Sequence, residues 1–196
     1  MAKLHVKTRI SPEVARQIRA GDEVILSGVI YTARDAAHKR MIEDLEAGRP
    51  LPFDPQGAVI YYVGPTPPKP GQVIGSAGPT SAYRMDKYTP TLLKLGVKAI
   101  IGKGYRSEAV KDALKEYGAV YLASTGGAGA LLAKRIKEAE VVAYDDLGAE
   151  AVRRLVVEDF PTVCINDSYG GDQYIDGQRQ YVQPDAMVKP GEAGKH

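Results

Sequence analysis

The chain has one cysteine, Cys164, in 196 residues. That excludes an internal disulfide and argues for a reducing compartment. It also excludes a self-contained thiolate iron–sulfur cluster, which needs several thiolates. Cys164 itself lies in the strand-like run Pro161-Thr-Val-Cys-Ile, where a thiol behaves as a small buried hydrophobe. Charge of one sign is missing too: 26 basic residues stand against 24 acidic ones, a net +2. No basic field or patch invites nucleic acid or a membrane surface. No apolar run is long enough to span a bilayer. The first residues, Met-Ala-Lys-Leu-His-Val-Lys, alternate apolar and polar, the mark of a strand and not of a signal peptide. These readings together give a cytoplasmic expectation.

Two phosphate-binding signatures are absent. Between Gly96 and Gly102 lie five residues where a phosphate loop needs four, and Gly104 follows Lys103 where Ser or Thr belongs. The segment Thr125 to Gly129 lacks dinucleotide-fingerprint spacing. It reads as a tight strand–helix turn or as an anion-facing loop. Histidine is scarce, and His38 has no Cys or paired His beside it, so no metal site is indicated there.

What is present is an α/β pattern. Residues 3–10 alternate, and Ser11 caps a short helix over 12–18. Glu23 to Tyr31 is β-branched and apolar, a strand; Arg34 to about Ala47 is an amphipathic helix ending at Gly48. A loop covers 49–57, a strand Ala58 to Val63, and the proline-rich run 65–71 is an extended connector. Met85 to Leu95 reads as helix and Lys98 to Ile101 as strand. Ser107 caps a helix closed by Gly118, and Ala119 to Ala123 is a strand. Further on, a helix is expected over 130–137, a strand over 141–143, a helical turn or two over 149–155 and strand over 156–166. From Asp167 the composition suggests a hairpin and a loose tail. Alternation from Lys98 to Asn166 argues for parallel pairing with helical crossovers in one mixed-sheet domain.

The candidate site centres on Gly75-Ser-Ala-Gly-Pro-Thr-Ser-Ala-Tyr-Arg-Met-Asp86. A helix opening near Pro79 puts Thr80 and Arg84 on one face, one turn apart. The N–H groups of its first turn would converge with them on a volume suited to a carboxylate. Lys103, between two glycines past a strand end, joins the loops that line a crevice in an α/β sheet. Arg34 and His38 share a helix face just after a strand. Each also has a plainer reading as a cap or surface residue.

Three segments in order, residues 75–86, Tyr-Thr-Ala-Arg-Asp-Ala-Ala-His-Lys-Arg (31–40) and Ile-Gly-Lys-Gly (101–104), resemble the β-subunit, or C-terminal domain, of class I fumarate hydratases and L-tartrate dehydratases. The resemblance runs from about Leu4 to Tyr174. It implies a swivelling β/β/α domain over 1–174, with 175–196 as a C-terminal tail. It implies a 4Fe–4S cluster held by a separate α-subunit, with a dicarboxylate substrate bound between the two chains. The residue matching Thr80 is the proposed base in that family; those matching Arg34, Arg84 and Lys103 bind substrate carboxylates. Ser81 and Tyr83 depart from the family pattern, which has Thr and a smaller residue there. The expected activity is malate/fumarate (de)hydration, the alternatives being tartrate dehydration or non-catalytic anion binding.

Overall fold

The computed structural model describes residues 1–124 and 129–181. Seven strands and six helices alternate through it. The strands are β1 (Lys3–Lys7), β2 (Glu23–Thr32), β3 (Val59–Tyr61), β4 (Ala99–Gly102), β5 (Val120–Ala123), β6 (Ile136–Ala143) and β7 (Val152–Asn166). The helices are α1 (Pro12–Gln17), α2 (Asp35–Glu46), α3 (Thr89–Lys94), α4 (Glu108–Tyr117), α5 (Gly129–Ala133) and α6 (Gln173–Tyr181). Two 3₁₀ turns, Ala82–Met85 and Asp145–Glu150, complete the set.

The sheet order is β1-β2-β3-β4-β5-β7-β6, and β7 also pairs with β2. Strands β1 to β5 pair in parallel, each step crossing over through a helix. Strand β7 runs antiparallel against β2, β5 and β6. Because β7 meets both β2 and β5, the pairings close into a circuit. The result is an α/β fold with a mixed sheet and helical crossovers, as expected.

Alternation along the strands sorts side chains onto two faces. Val59 and Tyr61 of β3, Ala99 and Ile101 of β4, Val120 and Leu122 of β5, and Leu155, Val157, Phe160 and Cys164 of β7 fill one core. Ile60, Ile100 and Tyr121 point the other way, against Ala37 and Met41 of α2, Leu92 and Leu93 of α3, and Val110 and Leu114 of α4. The two serine caps form as the sequence indicates. Ser11 accepts from the Val14 N–H at 3.2 Å and Ser107 from the Val110 N–H at 3.3 Å. Gly118 closes α4 in the left-handed region, φ 61°.

Four expectations are corrected. The helix expected over 130–137 ends at Ala133, and Ile136 onward is strand. Residues 152–155 are strand, so β7 is one 15-residue element. Parallel pairing stops at β5: β6 and β7 are joined by a short 3₁₀ link, which permits only an antiparallel return. In place of the hairpin after Asp167 stands α6. The Asp167 carboxylate accepts from the backbone N–H groups of Ala20, Tyr169 and Gly171, fixing the turn that leads into it. Residues 125–128, and 182–196 of the expected tail 175–196, lie outside the described residues. Among the described residues no helix is long and apolar enough to cross a membrane.

Phe160 is fully buried and meets Tyr61 edge to face, ring centroids 5.4 Å apart. Removing its ring leaves a cavity where β7 crosses β2 and β3. Phe160→Ala should destabilise the fold by about 3–5 kcal/mol, read as a lower urea midpoint with an unchanged slope.

Candidate functional site

The candidate residues gather where parallel strands end. Tyr62, just past β3, donates its N–H to the Ile101 carbonyl at 2.8 Å and accepts at its own carbonyl from the Thr80 N–H at 2.7 Å. The Thr80 carbonyl accepts from Lys103 N–H at 3.3 Å, and the Lys103 carbonyl from Ala82 N–H at 2.8 Å. Ser81 and Lys103 thus form a parallel bridge, a short extra strand beside β4. Gly102 makes room for it: a Cβ there would sit 3.0 Å from Tyr62 Cδ2 and 3.3 Å from Ala82 Cβ. Thr80 and Lys103 are therefore main-chain neighbours.

This overturns the expected helix start. Thr80 is extended, and a four-residue 3₁₀ turn begins only at Ala82. The N–H of Ala82, which opens that turn, and the N–H of Thr80 before it are both taken by carbonyls, of Lys103 and Tyr62. The extended bridge wins because it extends the sheet, adding ladder bonds that a helical turn at Pro79 would forgo. The Thr80 hydroxyl has no hydrogen-bond partner among the described residues.

Arg34 caps α2 without a side-chain bond, its backbone extended at φ −114°. Its side chain lies over the chain after β3. A Cβ on Gly64 would be 3.0 Å from both its Cδ and its Nη1. Arg84 leaves the 3₁₀ turn and reaches Asp35, the first residue of α2, with its Nε 3.0 Å from Oδ2. Asp35 Oδ1 is 3.8 Å from Arg34 Nε, and Glu150 Oε1 is 3.6 Å from the same nitrogen. So Arg34 and Arg84 share one carboxylate, while Thr80 and Lys103 share a backbone bridge.

Two clefts, of about 510 and 450 Å³, flank the 65–76 segment, and none of the four lines either. The four lie on a ledge along the ends of β2, β3 and β4. Tyr83 and Tyr105, 70% and 60% exposed, stand beside it in the chain. The reading of residues 125–129 as an anion-facing loop falls largely on residues outside those described.

Beneath the ledge is a buried polar network that sequence reasoning missed. Arg106, its side chain wholly buried, pairs through Nε with Asp86 Oδ1 at 2.8 Å. Its Nη2 donates to Thr89 Oγ1 at 2.8 Å and to the Tyr62 hydroxyl at 3.2 Å. The guanidinium lies 4.8 Å from the Tyr121 ring centroid, within cation–π range. Asp86 Oδ2 also accepts from the Ser107 N–H at 2.7 Å. Nothing in the pattern around Tyr105-Arg106-Ser107 sets this arginine apart from a surface one.

His38 is fully buried beside the network, edge-on to Tyr62 at 5.3 Å and stacked on Tyr88 at 5.9 Å. Its Nδ1 lies 2.8 Å from the Arg34 carbonyl, which fixes the neutral tautomer with the proton on Nδ1. Burial, with the Arg106 charge adding to it, pushes its pKa down to about 4, against a smaller opposing pull from the Arg34 carbonyl. Its expected face-sharing with Arg34 becomes a backbone contact and leaves it no access to a ligand.

The Fumarase C-terminus family model matches residues 1–177. The chain belongs to that family. It is 42% identical over 160 residues to "Fumarate hydratase 2" of Leishmania major, covering 81% of this chain and 28% of that one. It is 44% identical over 149 residues to "Fumarate hydratase class I, anaerobic" of Escherichia coli, covering 75% and 27%. It is 39% identical over 172 residues to "Putative L(+)-tartrate dehydratase subunit beta" of Methanocaldococcus jannaschii, covering 85% and 88%. The chain thus spans under a third of the two fumarate hydratases and most of the archaeal subunit.

Two outcomes follow for the buried network. His38 binds a proton more readily unfolded than folded, so its contribution is fully present above the unfolded value near 6.5 and is lost as pH falls from there to about 4. The loss should be on the order of 3 kcal/mol. His38→Phe should flatten that part of the stability–pH curve measured by denaturant melts; an unchanged slope would show that His38 is not its source. Arg106→Met strands Asp86 and should cost about 3–5 kcal/mol, read as a fall in melting temperature.

Proposed function

We propose that this chain is the β-subunit of an iron–sulfur hydro-lyase that interconverts malate and fumarate, cytoplasmic and active only with a cluster-bearing α-subunit. The observation that carries the proposal is the family match over 1–177 together with the hydroxyl residue Thr80 held beside Lys103 at the strand ends. The near-complete coverage of a relative named as a subunit beta supports a two-chain layout.

The cluster does not fit this chain's own donors. Among the described residues no group of three His, Cys, Asp or Glu side chains could hold a metal. The single thiol, Cys164, is buried in the β7 core, and burial pushes its pKa up. In this reading the 4Fe–4S cluster belongs to the α-subunit, and departure of hydroxide is handled outside this chain.

The chain's own residues supply the other half. Arg34 and Arg84 hold the carboxylates of the diacid, Arg by bidentate pairing. Thr80 Oγ takes the proton from the carbon next to one carboxylate. The C–H electrons flow into that carboxylate, giving an aci-form with two negative charges. Arg84 and Lys103 offset that build-up, Lys103 as a point charge adjoining Thr80. The electrons then return to form the carbon–carbon double bond as hydroxide leaves the neighbouring carbon. A threonine is a weak base in water, so the step requires a dry site in which nearby cations stabilise the alkoxide.

A second reading, an L-tartrate dehydratase β-subunit, is favoured by the name and length of the archaeal relative. It uses the same residues, and turnover of tartrate against malate by the assembled complex separates the two.

In the complex with its α-subunit, Thr80→Ala should lower kcat about 10²-fold or more with KM little changed, while Arg84→Lys should mainly raise KM. Near-native turnover of Thr80→Ala would remove the base assignment. The isolated chain should turn over neither malate nor fumarate, and activity there would contradict the two-chain proposal.

A further inference from the structure

The carboxylate clamp proposed above contains a carboxylate of its own. Asp35 lies between Arg34 and Arg84, with Oδ2 at 3.0 Å from Arg84 Nε and Oδ1 at 3.8 Å from Arg34 Nε. It is anchored at the first position of α2, where a negative charge favours the helix dipole. Glu150 Oε1 lies 3.6 Å from the same Nε and accepts from the Ala36 N–H at 3.5 Å. Both acids therefore face the Nε edges as ion-pair partners, while Arg34 Nε and Asp35 Oδ1 are buried with no hydrogen-bond partner among the described residues. The terminal nitrogens of Arg34 and Arg84 carry no hydrogen bond among the described residues.

A guanidinium is planar, with five donors in a fixed fork. A carboxylate beside its Nε edge restrains it electrostatically and leaves the terminal pair of nitrogens for a second carboxylate. Unheld, each arginine samples many rotamers, and ordering them on binding weakens affinity. Their side chains are 26% and 46% exposed, so packing alone does not fix them.

We propose that Asp35 is a positioning residue whose carboxylate, ion-paired with Arg84 Nε and facing Arg34 Nε, restrains both guanidiniums so that their terminal nitrogens are turned to a dicarboxylate. The inference rests on the functional reading above. It differs in sign from plain electrostatics. Arg34, Arg84 and Lys103 stand against Asp35 and Glu150, one positive charge in excess. Neutralising Asp35 makes that two, which on charge alone tightens dianion binding. Loss of alignment weakens it.

The test uses the full chain assembled with its α-subunit. Asp35→Asn keeps the shape and the helix start. KM for malate and the inhibition constant of succinate, a diacid that cannot be dehydrated, should both rise about tenfold, with kcat within about threefold. Asp35→Glu should restore part of the affinity. In an Arg84→Lys background, which lacks the Nε edge, Asp35→Asn should add much less than it does alone. A succinate constant that falls or stays put in Asp35→Asn would overturn the positioning role, as would full additivity with Arg84→Lys. Wild-type complex that hydrates neither fumarate nor its tartrate counterpart would instead bring down the functional reading, and this inference with it.

Discussion

Everything at the candidate site hangs on three backbone hydrogen bonds. The segment after Pro79 runs extended beside the end of β4, bonded at Thr80 N–H, Thr80 carbonyl and Ala82 N–H to Tyr62 and Lys103. Side-chain contacts between a hydroxyl and an ammonium would be weak and adaptable in water. Main-chain bonds to a sheet are not, because the strands they join are fixed by two cores. The irregular 62–81 region thereby inherits the rigidity of the sheet at the point where function is proposed. Gly102 is the local condition for this, since any side chain there would meet Tyr62 and Ala82.

The buried network secures the same geometry from below. Arg106 follows Lys103 on one loop, and Asp86 follows Arg84 on another. Their ion pair, with Tyr62 and Thr89, ties the two loops together. A buried pair of this kind is not in itself evidence for stability, because desolvation offsets much of the attraction. What it does supply is registry. A guanidinium whose Nε and Nη2 are both engaged accepts one arrangement of its partners, and a shift of either loop leaves a charge stranded.

How much of this was legible in the sequence depended on whether the signal was local. Ser11, Ser107 and Gly118 act within one turn, and their caps appear where the sequence puts them. Strands β2 to β5 show in their apolar, β-branched runs. Thr80 misled because Pro79 favours a helix start, while the decisive bonds come from residues distant in the chain. β6 was clipped because 130–137 reads as helix, and only pairing with β7 makes Ile136 onward strand. Arg34, Thr80, Arg84 and Lys103 stand out by their local setting at strand ends and glycines, and motif resemblance adds their roles, which rest on proposal. Arg106, Asp86 and Glu150 gave no signal, since their partners are fixed by tertiary contact. Asp35 carries in the sequence only the signal of a charge suited to a helix start, and its position between two arginines needs the fold.

The openness of the ledge has a consequence of its own. Arg34, Arg84 and their acidic partners are all partly solvated, and charge pairs in that setting contribute little. A diacid bound there in water would gain too little to displace its hydration and too little field to make Thr80 a base. Covering the ledge changes both at once, because the same charges interact several-fold more strongly as the effective dielectric falls. Two exposed tyrosines, Tyr83 and Tyr105, stand by the ledge with apolar ring faces and polar tips. Under the proposed reading, the surface that buries those rings is also what dries the site. Assembly would then switch on the chemistry through solvent exclusion, with no need for these residues to move.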